Sequence, residues 1–267
     1  MKECLVVIPT YNEIENIEAI IRKVLSLPAL FDILIVDDGS PDGTARRVKE
    51  LQQEFAADGF AHRLHLMERS GKLGLGTAYI AGFRWALGEG YQYVCEMDAD
   101  FSHNPDDLVR LYDACARGGN DVAIGSRYIT GVNVVNWPIG RVLMSYFAGV
   151  YVRFITGMSV MDPTAGFICY SKTVLTAILQ NNIRFVGYAF QIEMKFLSWK
   201  YGFRMTEVPI IFTDRTKGIS KMSTGIFKEA VFGVLQMKIG SFFRHYIPPG
   251  KEPKPVVVTP ETTEALS

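Results

Sequence analysis

Short apolar runs alternate with longer segments of helical periodicity through the first 125 residues of the chain. The runs are rich in β-branched residues, and the two most apolar, CLVVIP and FDILIV, are typical of strands buried on both faces. They predict strands at 4–9, 31–36, 63–67, 91–97 and 121–125. The segments between them predict helices near 13–27, 41–57, 73–89 and 105–117, the first opened by a capping box of Asn12 and Glu15. This alternation predicts an α/β fold with a mostly parallel central sheet flanked by helices.

The pattern changes after residue 125. It predicts a long helix over 139–160, a strand at 166–171, a helix near 188–201 and a strand at 205–212. Residues 222–245 place apolar side chains at helical spacing, with Lys228, Lys238 and Arg244 toward the other side. Such a helix either lies in a membrane interface or packs on the protein core, and the sequence leaves both open. Residues 139–160 are a second candidate for a lipid-facing surface, and the proline-rich tail 248–267 is predicted to be disordered.

Composition narrows the class of protein. The 267 residues carry no net charge, but residues 184–247 have a balance of +6 and residues 1–183 a balance of −5. This distribution argues against a nucleic-acid-binding protein and favours an anionic ligand or lipid surface near the C-terminal third. The four scattered cysteines predict buried free thiols in a reducing compartment. No signal peptide or spanning segment is visible, so the sequence predicts a cytoplasmic protein.

The candidate chemistry lies just after the predicted strands. In an open α/β sheet, ligands bind beyond the carboxyl ends of the strands. Acidic residues follow the first, second and fourth strands, and an arginine follows the fifth; these residues are Glu13, Asp37, Asp38, Asp98, Asp100 and Arg127. The Asp98-Ala99-Asp100 motif is the sharpest signal, because residues i and i+2 of an extended segment point the same way. Two such carboxylates can face one Mg²⁺ or Mn²⁺ ion together with substrate phosphates, although an aspartate at a strand end also commonly caps a turn.

Two common nucleotide-binding motifs are missing from the sequence. The pattern G-x-x-x-x-G-K-[ST] does not occur, and the glycines of 71–76 are in the wrong order for it. The pattern G-x-G-x-x-G is absent after the first strand. The sequence therefore lacks the key motif of the P-loop NTPases and that of the dinucleotide oxidoreductases, which argues against both classes.

The ordered motifs resemble those of a known enzyme family. In chain order they are PTYNE at 9–13, VDDGSPDGT at 36–44, LGLGTAY at 73–79, MDADFSH at 97–103, GSRY at 125–128, GYAFQIEM at 187–194, Asp214-Arg215 and Ser220-Lys221. They are similar to the family 2 inverting glycosyltransferases with the GT-A fold, and within them to the dolichyl-phosphate (polyprenyl-phosphate) mannose synthases. The resemblance covers about residues 4–222. It implies one domain over 1–247, with a nucleotide-sugar half at 1–125, an acceptor half at 126–221 and an amphipathic helix at 222–247.

The resemblance implies a reaction and a set of residues. The reaction is metal-dependent transfer of mannose from GDP-mannose to a polyprenyl phosphate, with inversion, at the cytoplasmic face of a membrane. Asp98 and Asp100 would hold Mg²⁺ or Mn²⁺. The implied donor-binding residues are Pro9, Tyr11, Glu13, Val36, Asp38, Asp98, Ala99, Asp100, Arg127, Arg215 and Lys221. The implied catalytic residues are Asp100, Arg127, Arg215 and Lys221. For each basic residue the alternative is an ordinary solvated surface charge.

A phosphate acceptor changes what the site must supply. A phosphate monoester is already anionic near neutral pH, so it needs no general base, and none is assigned. It needs positioning, and cations that offset its repulsion from the donor diphosphate.

The sequence departs from the family pattern in two ways. Ile168 stands where relatives often carry arginine, so a phosphate contact is either missing or supplied by Arg141 or Lys217. The C-terminal transmembrane hairpins of some relatives are not present in this sequence. Membrane attachment is therefore expected to be peripheral or through a membrane-anchored partner protein.

Two alternatives remain open at this point. One is a transferase of the same fold that uses UDP-glucose or UDP-N-acetylglucosamine, or a growing glycan as acceptor. The other is a non-catalytic nucleotide-sugar-binding scaffold that recruits a membrane partner. The retained Asp98-Ala99-Asp100 motif argues against the scaffold, which has no need of a metal-held diphosphate.

Overall fold

The computed structural model describes residues 2–29, 31–57, 61–187, 189–214, 224–244 and 246. Its strands are β1 (Cys4–Thr10), β2 (Phe31–Asp37), β3 (Leu64–Glu68), β4 (Tyr93–Glu96), β5 (Val122–Ser126), β6 (Val134–Val135), β7 (Ile168–Ser171), β8 (Met205–Pro209) and β9 (Phe212–Thr213). Its helices are α1 (Ile17–Leu25), α2 (Thr44–Ala57), α3 (Leu75–Gly88), α4 (Asp107–Ala116), α5 (Ile139–Thr156), α6 (Lys172–Leu179), α7 (Ala189–Lys200) and α8 (Thr224–Ser241). The strands and helices predicted before residue 125 are confirmed in type and order.

A seven-stranded sheet organises the fold. Its strand order is β3-β2-β1-β4-β7-β5-β8, and every neighbouring pair is parallel except those that involve β7. Because β7 is antiparallel to both β4 and β5, it separates the strands of the first half of the chain from the β5–β8 pair. The predicted mostly parallel sheet flanked by helices is confirmed.

Helices cover both faces of the sheet. Alternate residues of a strand point to opposite faces, so Val6 and Ile8 of β1 join one buried cluster while Leu5 and Val7 join the other. The first cluster contains side chains of α1, α2 and α4, and the second contains side chains of α3, α6 and α7. A third, smaller cluster joins α5, α7 and α8. The four cysteines are buried free thiols, as predicted.

Three local predictions need correction. The first helix begins at Ile17 rather than Glu13, because Asn12 adopts a left-handed conformation (φ 58°) and residues 14–16 form a turn. The capping box of Asn12 and Glu15 is therefore wrong. The strand predicted over 205–212 is split into β8 and β9, and helix α6 was not predicted. The tail 248–267 lies outside the described residues.

Helices α5 and α8 carry the most exposed apolar side chains. On α5, Ile139, Phe147 and Phe154 are 74%, 61% and 85% exposed, while on α8 Val234 and Met237 are buried against the third cluster. The outer side of α8 and the residues just after it expose Phe232, Leu235, Ile239, Phe242 and Phe243. The apolar side chains that the sequence predicted on the side opposite the basic residues therefore lie on two different sides of α8. No helix in the described ranges is both long and apolar enough to cross a membrane.

Candidate active site

The carboxyl ends of three adjacent strands form one edge of the sheet. β1 lies between β2 and β4 and is parallel to both, with Thr10 paired to Asp37 and Val7 paired to Glu96. The Thr10 hydroxyl donates a hydrogen bond to Asp37 over 2.9 Å. The loops that follow these strands therefore leave the sheet side by side, as the strand-end argument predicted.

Two of these loops are joined by hydrogen bonds that begin at backbone N–H groups. The Glu13 amide donates to the Thr44 hydroxyl, and the Asn12 amide donates to the Ser40 hydroxyl, both over 3.0 Å. The implied nucleoside residues lie on or beside these loops. Pro9, Tyr11 and Glu13 are half-buried, and Val36 and Asp38 are buried.

Arg69 is a polar residue of this region that the sequence analysis missed. Its guanidinium donates to the Asp38 carboxylate from Nε over 2.6 Å and to the Thr77 hydroxyl over 2.8 Å. From the same loop, the Lys72 ammonium lies 5.1 Å from the centre of the Tyr11 ring. Asp38 therefore has a cationic partner as well as its implied role toward a nucleoside. Arg69 directly follows β3, so the strand-end argument would have found it had it been applied to that strand.

The Asp98-Ala99-Asp100 motif follows β4. The buried Tyr79 hydroxyl donates to Asp98 over 3.5 Å, and the Ser102 amide donates to Asp100 over 3.0 Å. Phe101, which lies between Asp100 and Ser102, adopts a left-handed conformation (φ 59°) that turns the chain sharply after the motif.

The oxygen atoms of this loop are suitable ligands for a divalent cation. They are carboxylate oxygens, and the Ser102 hydroxyl beside them is buried with no hydrogen-bond partner in the described part of the chain. Within that same part, no three His, Cys, Asp or Glu side chains are grouped so as to hold a metal ion by themselves. Mg²⁺ commonly binds one or two carboxylates together with substrate phosphates, and that coordination suits this loop.

Arg127 follows β5 and is buried in an ion pair. Its Nε and Nη2 atoms donate to the two carboxylate oxygens of Asp162, each over 2.7 Å, and Nη2 also donates to the Thr164 hydroxyl. Burial alone would raise the pKa of Asp162, but the charge and hydrogen bonds of Arg127 outweigh it and lower that pKa. The guanidinium also lies 5.7 Å from the centre of the Trp137 ring and 5.6 Å from that of Phe212.

A second, more exposed arginine lies close by. Arg141, near the start of α5, donates from Nη1 to both carboxylate oxygens of Asp214 over 3.0 Å, and its guanidinium lies 4.1 Å from the centre of the Trp137 ring. Trp137 therefore contacts both arginines. Arg215 and Lys221, which complete the implied catalytic set, and Lys217 lie outside the described residues.

Position 168 does not face the site. Ile168 is fully buried on β7, between Glu96 and Ile124 of the neighbouring strands. A phosphate contact is therefore not expected from this position, and the isoleucine is explained by core packing. Of the two substitutes considered, Arg141 lies next to Arg127 around Trp137.

His103, just past the Asp98-Ala99-Asp100 motif, is packed between aromatic rings. Its ring stacks on Phe167 at 4.9 Å and meets the edge of Phe212 at 5.2 Å. Burial lowers its pKa to about 4, so the imidazole is neutral near pH 7. The Thr213 amide also donates to the Ser102 carbonyl over 3.1 Å. These contacts join the loop that carries Asp98 and Asp100 to the segment that contains Phe212 and Asp214.

The sequence matches known proteins over most of its length. Residues 5–179 match the family described as Glycosyl transferase family 2. The polyprenol monophosphomannose synthase of Mycolicibacterium smegmatis is 46% identical over 235 residues, which cover 88% of this chain and 86% of that protein. The undecaprenyl-phosphate mannosyltransferase of Micrococcus luteus is 44% identical over 230 residues, which cover 86% of this chain and 91% of that protein.

Solved structures share the fold at low identity. One is glucosyl-3-phosphoglycerate synthase from Mycobacterium tuberculosis in complex with Mn²⁺, UDP and glucosyl-3-phosphoglycerate, with a TM-score of 0.60, 19% identity and coverage of 93% of this chain and 82% of that one. Another is the mannosyltransferase PcManGT from Pyrobaculum calidifontis in complex with GDP-Man and Mn²⁺, with a TM-score of 0.55, 15% identity and coverage of 92% and 66%. The expected GT-A architecture is therefore confirmed.

Proposed function

This chain is a glycosyltransferase that belongs to glycosyl transferase family 2, and on that premise we propose that it transfers mannose from GDP-mannose to a polyprenyl phosphate with inversion. The two relatives, a polyprenol monophosphomannose synthase and an undecaprenyl-phosphate mannosyltransferase, support both the sugar and the acceptor class. The observation that carries the proposal is the arrangement of the site. The Asp98 and Asp100 carboxylates follow β4. Arg127 follows β5, and it shares the Trp137 ring with Arg141 of α5.

The donor-binding side of the site is proposed to lie at 1–125. Pro9, Tyr11, Glu13, Val36 and Asp38 hold the nucleoside, and Asp98, Ala99 and Asp100 lie at its diphosphate. Asp98 and Asp100 would hold a divalent cation, Mg²⁺ or Mn²⁺, and such an ion supplies Lewis-acid stabilisation of the charge that develops on the departing GDP. Tyr79 orients Asp98 and the Ser102 amide orients Asp100, so both carboxylates are held before the substrate arrives.

The acceptor side is proposed to lie at 126–221. A phosphate oxygen of the lipid attacks the anomeric carbon, the bond from that carbon to the diphosphate oxygen breaks, and its electron pair leaves with GDP. The attacking oxygen is already anionic, so no side chain needs to remove a proton. Arg127, Arg141, Arg215 and Lys221 supply the positive charge that brings two phosphate groups together.

We also place the exposed faces of α5 and α8 against the membrane that contains the lipid acceptor. Phe154 and Phe243 are 85% and 84% exposed. Exposed apolar patches of this kind mark surfaces that contact a membrane or another protein. Arg141 lies in the first turn of α5, and the exposed apolar side chains of this helix extend from Ile139 to Phe154. A lipid whose phosphate lies near Arg141 would then have apolar protein surface beside its chain. The chain would act as a peripheral protein of the cytoplasmic membrane face.

A transfer assay with metal removal tests the proposal. The purified chain is incubated with labelled GDP-mannose and a short polyprenyl phosphate, with Mg²⁺ or Mn²⁺ and then with EDTA. We expect a lipid-linked mannose that disappears with EDTA and returns when the metal is restored.

Two variants make the test specific to the site. Asp98→Asn should lower the rate roughly 100-fold or more, because it removes one charge of the metal pair. Asp106→Asn, at an exposed aspartate paired with Lys23, should leave the rate unchanged. Transfer only from UDP-sugars would overturn the mannose assignment. Donor binding without transfer to any acceptor would favour a scaffold.

A further inference from the structure

A fully buried lysine lies beneath the loop that holds Arg127. Lys195 of α7 is 0% exposed, and its ammonium donates to the Ala165 carbonyl over 2.5 Å and to the Gln191 carbonyl over 3.0 Å. Lysine is rarely buried completely, because its charge loses its hydration. The buried ammonium therefore needs an explanation beyond packing, since an apolar side chain of similar length would fill the same space.

The loop over 162–166 connects Lys195 to Arg127. Asp162 and Thr164 of this loop bind the Arg127 guanidinium, and Ala165 of the same loop accepts the hydrogen bond from Lys195. Asp162 also accepts a hydrogen bond from the Arg127 amide over 3.0 Å. The loop therefore holds Arg127 through Asp162 and Thr164, and Lys195 holds the loop through its hydrogen bond to the Ala165 carbonyl.

Charged groups from four parts of the fold act on Lys195. They are Glu96 of β4, Arg127 after β5, Asp162 of the loop and Glu207 of β8. Burial lowers the pKa of Lys195 to about 8, against the opposing effect of Glu96 and Asp162. Without Lys195, Arg127 would be the only cation among these groups, and it faces the carboxylate of Asp162.

We propose that Lys195 is a positioning residue for phosphate binding, because its buried ammonium holds the loop over 162–166 and so keeps Arg127 where a substrate phosphate binds. This inference rests on the proposed function, in which Arg127 contacts a phosphate. Lys195 touches no substrate and acts through Arg127. Its charge offsets that of Asp162, which binds Arg127, and so leaves the guanidinium able to attract an incoming phosphate.

A double-mutant cycle separates this role from a purely structural one. Lys195→Met removes the charge and keeps the length of the side chain, and Lys200→Met, on the same helix but half-exposed, is the matched control. In the transfer assay, Lys195→Met should lower kcat/KM by roughly 10- to 100-fold. In an Arg127→Ala background the same change should cost less than about threefold, because the residue through which it acts is gone. Lys200→Met should match the wild type.

The pH profile gives a second measurement. Lys195 carries its charge below its folded pKa of about 8 and loses it as the pH rises through that value. Wild-type activity should therefore fall at alkaline pH, Lys195→Met should be low throughout without that fall, and Lys195→Arg should keep its activity to higher pH because guanidinium stays charged. If Lys195→Met shows no cooperative thermal unfolding, the Lys195→Arg profile decides.

Equal losses from Lys195→Met with and without Arg127 would overturn the proposal, as would an alkaline fall that survives in Lys195→Arg at the same pH. The two levels of inference can also fail separately. If the wild-type chain transfers no mannose, the proposed function fails. The same cycle is then measured in the affinity for GDP with Mn²⁺ and for inorganic phosphate. A loss of affinity for either probe only when Arg127 is present supports the role of Lys195, and equal losses contradict it.

Discussion

The buried Arg127–Asp162 pair gives a prediction whose size follows from the structure. Asp162 is 0% exposed, and both of its carboxylate oxygens accept hydrogen bonds from the Arg127 guanidinium. Asp162→Asn keeps the shape of the side chain and removes its charge, so it leaves a buried guanidinium without its counter-ion. Breaking a buried pair in this way costs about 3–5 kcal/mol of the free energy of unfolding. For a chain of this size, that loss lowers the melting temperature by about 6–20 °C.

Thermal unfolding followed by circular dichroism measures this effect, and Asp214→Asn is the matched control. Asp214 also pairs with an arginine, but the side chains of Arg141 and Asp214 are 30% and 31% exposed. Exposed pairs contribute about 1 kcal/mol or less, so the control should shift the melting temperature by only a few degrees. Equal shifts for the two variants would refute the claim that the Arg127–Asp162 pair is energetically a buried one.

The pH dependence of the same measurement has a defined sign. The pKa of Asp162 is lower in the folded protein than the ordinary value for aspartate, so its stabilising effect is complete above that ordinary value. The effect is lost as the pH falls toward the lowered folded pKa. The difference in melting temperature between wild type and Asp162→Asn should therefore be constant near neutral pH and shrink in acid. A difference that grew in acid would contradict the assignment of the lowered pKa to Arg127.

Two further predictions concern packing and the exposed face. Gly76→Ala should cost about 1–3 kcal/mol of the free energy of unfolding, because the added methyl group would lie 2.8 Å from the Phe190 ring. Gly88→Ala in the same helix meets nothing within 4 Å and should stabilise by about 0.5–1 kcal/mol, so equal effects in thermal unfolding would contradict the packing. Phe154→Glu should reduce sedimentation with anionic lipid vesicles at an unchanged melting temperature. Ala19→Glu, at an exposed position of α1, should sediment like the wild type, and equal binding by both variants would rule out the α5 face.

The first half of the fold could be predicted because its signals are local. β1 and β2 are continuous apolar runs, and the helices between the strands have clear periodicity. The place of β7 could not be predicted in this way, since nothing in 168–171 specifies that it pairs antiparallel with both β4 and β5. The capping box of Asn12 failed for a similar reason. The Asn12 amide donates to Ser40 of a different loop, a tertiary contact that local patterns do not contain.

The site was predictable where its residues sit at strand ends. The Asp98-Ala99-Asp100 motif and Arg127 lie just beyond the carboxyl ends of β4 and β5, as predicted for ligand-binding residues of an open α/β sheet. The partners of these residues were not predictable, because Tyr79, Asp162 and Lys195 reach the site from elements distant in sequence. A buried lysine in a helix pattern also resembles an ordinary surface lysine until the packing of the helix is known.

One competition assay tests the central claim most directly. The purified chain is given a short polyprenyl phosphate, Mn²⁺ and equal amounts of two donors, GDP-mannose with a carbon-13-labelled sugar and unlabelled UDP-glucose. The molecular mass of the lipid product is then measured by mass spectrometry. We predict a glycolipid that carries the heavy sugar. A glycolipid with the light sugar, or no lipid-linked product while the donor remains bound, would contradict the proposed mannose transfer.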